Sequence, residues 1–223
     1  MFGCFAALTA KTGAETQGAA PGPGHAARPG AGEGLLSGTR VATATGWRRV
    51  EALSPGDLVL TFDAGLQPVA RVTQQAFDAA GGAALLVELP GGALGNREAM
   101  QLLPGQTVMV ESDAAEDLYG DPFSLIRAEA MAALSGARRV PPPEGALRVR
   151  LHFAAEQVIF ARGGLLFLCP ACPEGRLHAA AAPPFRYAAL PMEEARWLAA
   201  RIEAEAARGP YPAPGAFPMG SPA

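Results

Sequence analysis

The chain has 223 residues, a mass of 22.9 kDa and a formal net charge of -3, from 18 basic and 21 acidic residues. This length suits one domain with a substantial core. No basic block provides the electrostatic surface that nucleic acids require, and no apolar run is long enough to span a bilayer. We therefore expect neither nucleic acid nor a membrane as a partner.

Both ends of the chain are rich in Gly, Ala and Pro. Ordering such segments costs conformational entropy without burial in return. We expect a flexible leader over residues 1–33, a folded domain over residues 34–208 and a flexible tail over residues 209–223. Three cysteines, Cys4, Cys169 and Cys172, are an odd and sparse set that forms no disulfide framework, which favours a reducing, cytoplasmic location.

Short apolar runs divided by turn signals follow the leader. Their regular punctuation predicts a mainly β fold, a compact roll of short strands, with Trp47, Val50 and Leu53 available for the core. The predicted strands are Val41–Thr43, Trp47–Leu53, Leu58–Phe62, Val69–Gln75, Leu85–Leu89, Met100–Leu103, Thr107–Glu111, Leu147–Phe153, Val158–Phe160 and Leu165–Leu168.

Two segments have a helical period instead. Ser124–Leu134 is followed by Gly136, which is typical of a helix with a C-terminal glycine cap. Pro191–Arg208 is amphipathic, with Leu198 and Ile202 four residues apart and two Glu residues in the first turn. We predict one short internal helix and one C-terminal helix.

An ordered set of motifs opens the predicted domain. Gly38-Thr39, Gly46-Trp47, Val50-Glu-Ala-Leu53 and Gly56-Asp57 follow one another at ordinary spacing. In this order they resemble the start of bacterial Hint (hedgehog/intein) domains, whose active members attack the peptide bond at their own N-terminus. The resemblance implies a Hint-like β roll, and weaker similarity extends to about Phe167.

Self-cleavage needs a Cys, Ser or Thr nucleophile and donors that include a histidine, and splicing also needs a terminal Asn. In the family's pattern the nucleophile position falls on Gly34, the histidine position on Gln106 and the Asn position on Arg162. The single asparagine of the chain, Asn96, lies in a Gly-rich turn. The resemblance therefore implies a domain that is degenerate at the autoprocessing residues and has lost protein splicing.

Two functions follow from this pattern. The first is a binding or scaffold module with an unidentified protein partner. The alternative is a self-cleaving enzyme that performs N-terminal autoproteolysis, with Ser37 or Thr39 as nucleophile, Gln106 as hydrogen-bond donor and His152 as base. A structural role for His152 in its predicted strand competes with that assignment.

Two groups of residues could bind a metal. Cys169 and Cys172 have the spacing of half a zinc site, with His178 as a third ligand, but no fourth ligand is evident. The alternatives are a solvent-accessible thiol pair or plain loop residues. An acidic segment lacks the ligand order of a calcium loop and is predicted to be a solvated loop. Its members are Glu111, Asp113, Glu116, Asp117 and Asp121. We predict no cofactor.

Overall fold

The computed structural model describes residues 32–77, 85–172 and 187–208. The predicted tail, and the predicted leader apart from Gly32 and Glu33, lie outside the described residues. The described strands are β1 (Leu35–Leu36), β2 (Arg40–Thr43), β3 (Gly46–Arg49), β4 (Leu58–Thr61), β5 (Gly65–Pro68), β6 (Arg71–Ala76), β7 (Leu86–Leu89), β8 (Met100–Leu102), β9 (Thr107–Glu111), β10 (Phe123–Arg127), β11 (Arg138–Val140), β12 (Leu147–His152), β13 (Gln157–Phe160) and β14 (Leu166–Cys169). The helices are α1 (Asp113–Tyr119), α2 (Met192–Arg208) and the 3₁₀ helices Val50–Ala52 and Ala128–Ala133.

The described strands form three antiparallel sheets. The largest has the order β10-β9-β14-β13-β4-β2-β3, with β5 paired to β4. Strand β12 lies between β1 and β6 in the second sheet, and β7 lies between β11 and β8 in the third. The mainly β roll of short strands predicted from the sequence is confirmed.

One apolar core joins the three sheets and the C-terminal helix. Strand residues such as Val41, Ile126 and Phe167 are fully or almost fully buried in it. Helix α2 adds Leu198 and Ile202, which lie on one helical face because they are four residues apart. The predicted C-terminal helix is therefore present and packs on its own domain. Within the described residues, no helix has the length and apolar character needed to cross a membrane.

The predicted internal helix over Ser124–Leu134 is wrong in its first half. Its first half is strand β10, paired with β9, and its second half is the 3₁₀ helix Ala128–Ala133. The error has a physical cause, because Leu125 and Ile126 are both buried but in different apolar clusters, on opposite sides of the strand. A strand covered on both faces loses the alternation that identifies strands in sequence.

The internal α-helix lies instead in the acidic segment, which was predicted to be a loop. Ser112 caps α1, since its Oγ accepts a hydrogen bond from the Ala115 N–H (3.1 Å), and Gly120 ends it at a φ of +72°. Acidic residues in the first turn favour a helix at this position.

Trp47 is not a core residue, in contrast to Val50 and Leu53, which are buried as predicted. The predicted strand Trp47–Leu53 ends at Arg49, where β3 gives way to a 3₁₀ helix. Trp47 lies opposite Ala42 on the outer face of the β2–β3 hairpin, since the alternate residue Val41 faces the core.

Candidate functional site

Gly34 precedes β1, which pairs with β12 through Leu35–Val149 and Leu36–Arg148. Gly34 is buried and has a φ of +130°, a conformation that other residues rarely adopt. A Cβ atom at this position would lie 3.0 Å from both Arg148 Cγ and the Val149 carbonyl oxygen. The backbone at Gly34, the position that the resemblance assigns to the nucleophile, is therefore crowded as well as unsuited to a side chain.

Gln106 lies beside Gly34. Its Oε1 accepts a buried hydrogen bond from the Gly34 N–H (3.2 Å), and its amide group donates to the carbonyl oxygens of Thr107 (2.8 Å) and Leu168 (3.0 Å). The structure thus brings together the two positions that the resemblance assigns to the nucleophile and the histidine. Because both amide protons are used on carbonyl oxygens, Gln106 presents an acceptor to Gly34.

The carbonyl on the other side of the same peptide bond is also bound. Arg150 Nε donates to the Glu33 carbonyl oxygen at 3.0 Å. Arg148, two residues earlier in β12, lies on the same face of the strand, and burial together with the charge of Arg150 lowers its pKa. The 33–34 peptide bond is thus held by a guanidinium at its oxygen and by an amide at its nitrogen.

Ser37 and Thr39 lie just beyond β1. The Ser37 Oγ accepts a hydrogen bond from the Leu147 N–H (2.9 Å), and the Leu36 carbonyl, which a Ser37 nucleophile would attack, accepts one from the Thr39 N–H (3.1 Å). Both residues line a cleft of about 480 Å³. The structure therefore places both residues at the same accessible cleft.

His152 is not close to them. It ends β12, whereas Ser37 is bound to Leu147 at the start of that strand. Five residues of extended chain, at ~3.3 Å each, separate the two positions by about 16 Å. His152 is half-buried, opposite Arg71 of β6, and its carbonyl accepts a hydrogen bond from the Ala70 N–H. The structure does not bring this histidine to the predicted nucleophiles.

Cys169 and Cys172 are both buried, so the alternative of a solvent-accessible thiol pair is wrong. Cys169 ends β14, and burial raises the pKa of its thiol to about 12. His178 lies outside the described residues. Among the described residues, no group of three His, Cys, Asp or Glu residues is arranged to hold a metal ion.

Asn96, the single asparagine, is a buried turn residue. Its side-chain nitrogen donates to the carbonyl oxygens of Pro90 (2.8 Å) and Glu98 (2.9 Å), and its Oδ1 accepts from the Leu94 N–H. These bonds pair the side-chain amide of Asn96 with backbone groups of the loop between β7 and β8. Asn96 therefore has a structural role.

The sequence model of the Hint domain matches residues 34–166, from Gly34 to the first residue of β14. The match begins at the residue held by Gln106 and spans more than half of the chain. The chain belongs to the Hint domain family. This Hint domain matches no curated protein in a sequence comparison.

Several solved inteins are similar to this Hint domain in fold. A splice-inactive variant of the AceL NrdHF class 3 split intein has 13% identity over 62% of this chain and 98% of its own, with a TM-score of 0.39. The gp41-1 intein has 11% identity over 61% and 98%, with a TM-score of 0.40. A bacterial intein-like domain from Clostridium thermocellum has 14% identity over 60% and 97%, with a TM-score of 0.39.

One residue of this site, Arg150, was not predicted from the sequence. Alternation in β12 places Arg148 and Arg150 on one face, opposite the buried Val149 and Leu151. That alternation is a visible signal of a charged strand face. The partner of that face, Glu33, is 117 residues away and has no signal in the sequence.

Proposed function

We propose that this Hint domain has lost protein splicing and self-cleavage and acts as a binding or scaffold module. Gly34 carries the proposal. It stands at the family's nucleophile position, has no side chain to attack the Glu33 carbonyl, and adopts a φ of +130° in contact with β12.

The groups around the 33–34 peptide bond support the same proposal. Cleavage requires a donor that protonates the departing amide nitrogen. Gln106 instead accepts from that nitrogen, and its own protons are committed to the carbonyl oxygens of Thr107 and Leu168. Arg150 would stabilise an oxyanion at Glu33. The site thus keeps a group that binds the carbonyl oxygen of the peptide bond, but it has neither a nucleophile nor a proton donor for the nitrogen.

The outer face of the largest sheet supports a binding role. Trp47, Leu58, Leu60 and Leu66 are between 38% and 47% exposed. Leu60 lies directly opposite Leu66 in the β4–β5 pair, and Leu58 follows the same face of β4. Large apolar side chains gathered on one exposed face are typical of protein-interaction surfaces.

Intact mass tests the loss of self-cleavage. Purified protein is incubated for a long period with and without a thiol or hydroxylamine, beside a Ser37→Ala variant as control. We expect an unchanged mass of 22.9 kDa and no difference from the variant beyond the substitution itself. A fragment that starts at Gly34 would contradict the proposal, and one that starts at Ser37 and is lost in the variant would establish the alternative.

A further inference from the structure

A row of arginines crosses the largest sheet. Arg49 of β3 lies opposite Arg40 of β2, and the bridge between Val41 and Ala161 places Arg40 opposite Arg162, whose N–H donates to the Arg40 carbonyl (2.8 Å). Val41 and Ala161 are buried, so the arginine side chains project from the outer face. Like charges directly opposite one another in a sheet are destabilising.

These guanidinium groups have few partners of their own. Among the described residues, Arg162 makes no side-chain hydrogen bond or ion pair, and Arg40 makes only a long 3.5 Å contact to the Trp47 carbonyl. Arg49 lies 3.8 Å from Glu51, with its side chain 60% exposed. The guanidinium groups of the row are therefore available to bind a negatively charged ligand, which would reduce the repulsion between them.

Arg40 and Arg162 both line the 480 Å³ cleft, together with the hydroxyl residues Ser37 and Thr39. Its volume is in the range of ligand sites, ~300–1,000 Å³. The cleft is also lined by Glu98 to Gln101, which include the start of β8. Because β8 is an edge strand of its sheet, its backbone offers pairing groups to an extended ligand.

Two carboxylates also border the cleft. Glu88 accepts a hydrogen bond from Gln101 Nε2 (2.9 Å) and forms an ion pair with Arg138, so its charge is balanced. Glu98 lies next to Gly163, the residue after Arg162, because a Cβ atom at Gly163 would be 3.5 Å from Glu98 Oε1. The Arg40 and Arg162 guanidinium groups outnumber Glu98, so a negatively charged group of a ligand is favoured beside them.

We propose that this cleft binds an extended acidic peptide, with a carboxylate of the peptide between Arg40 and Arg162 and its backbone along β8. The proposal rests on the binding role proposed above, for which it names the chemistry of the partner. Ser37 and Thr39 hydroxyl groups donate hydrogen bonds to the same carboxylate or to the peptide backbone.

Fluorescence anisotropy tests the proposal with a labelled Gly-Ser-Asp-Glu-Asp-Gly-Ser peptide and a control peptide in which Asn and Gln replace the acidic residues. We expect the acidic peptide to bind more tightly and its affinity to fall with salt. Arg40→Gln and Arg162→Gln should each raise Kd about tenfold or more. Arg139→Gln removes the same charge from exposed β11 and should leave Kd unchanged.

Equal Kd values for Arg162→Gln and Arg139→Gln, or for the acidic and neutral peptides, would overturn the proposal. Displacement by acetate alone at the concentration of competing unlabelled peptide would also overturn it, since the peptide backbone would then add nothing. Circular dichroism confirms that each variant is folded. Intact mass of the same samples separates the two proposals, because an uncleaved chain that binds no peptide refutes only this one.

Discussion

Replacing Gly34 with Ala should destabilise the domain for two reasons that the structure separates. The φ of +130° costs a residue with a Cβ about 1–3 kcal/mol. The new Cβ would also lie 3.0 Å from Arg148 Cγ and from the Val149 carbonyl oxygen, and the latter belongs to a paired strand that cannot move freely. Overpacking of this kind costs about 1–3 kcal/mol more.

Gly38→Ala is the matched control, because Gly38 has a φ of +89° but no atom within 4 Å of a Cβ at its position. We expect a loss of about 1–3 kcal/mol for Gly38→Ala and about 2–6 kcal/mol for Gly34→Ala. The larger loss corresponds to a Tm lower by roughly 4–24 °C. Urea denaturation and calorimetry measure both variants.

Equal stabilities of the two variants would refute the reasoning, because the contact with β12 would then have relaxed at no cost. A second variant, Gly34→Cys, tests whether self-cleavage can be recovered by supplying a nucleophile. The cysteine would have the same backbone strain as alanine, and it would face Gln106 in place of a proton donor. We expect it to be destabilised and to keep its full mass under the incubation described above. Efficient cleavage of this variant would show that Gly34 alone accounts for the lost activity.

Three further predictions concern single side chains. Gln106→Leu removes three hydrogen bonds of a buried amide and should lower the free energy of unfolding by about 2–4 kcal/mol in urea; a loss well under ~1 kcal/mol would contradict its role in holding Gly34. Hydrogen bonds from Gln101 and Arg138 lower the pKa of Glu88 below its ordinary value, so its carboxylate stabilises the fold at neutral pH and loses this contribution as the pH falls through the lowered pKa. Glu88→Gln should therefore be less stable than the wild type at neutral pH and equally stable in acid, by thermal melts across pH; a constant difference would refute this. Burial raises the pKa of Cys169 to about 12, so iodoacetamide at neutral pH should modify it only after unfolding, and its alkylation in the folded chain, seen by peptide mass spectrometry, would count against that burial.

The sequence was most informative where local rules determine structure. Strand β9 and helix α2 were predicted almost to the residue, since one has a β-rich run between turns and the other an amphipathic period. Short strands such as β1 and β11 were missed, because two or three residues carry no periodicity and their pairing depends on distant partners. Trp47 was predicted to lie in the core because it is apolar, although its partner Ala42 alternates with the buried Val41 and both therefore face outward.

The candidate site divides in the same way. Gly34 and Gln106 were found because each holds a fixed place in an ordered motif, and the structure brings them into contact across 72 residues. Ser37 and His152 were grouped by residue type alone, and the length of β12 separates them. Arg150 was missed because its partner is a backbone carbonyl, which has no signature in sequence.

The two-residue strand β1 has a consequence for the order of folding during synthesis. Leu35 is made early, yet its partner Val149 follows 114 residues later. At ~5–20 residues per second, translation leaves Leu35 without that partner for roughly 6–23 s. The 33–34 peptide bond can meet Gln106 once 72 further residues are made, but it can meet Arg150 only after that delay, so the first strand of this Hint domain is added to a roll whose other sheets have already begun to form.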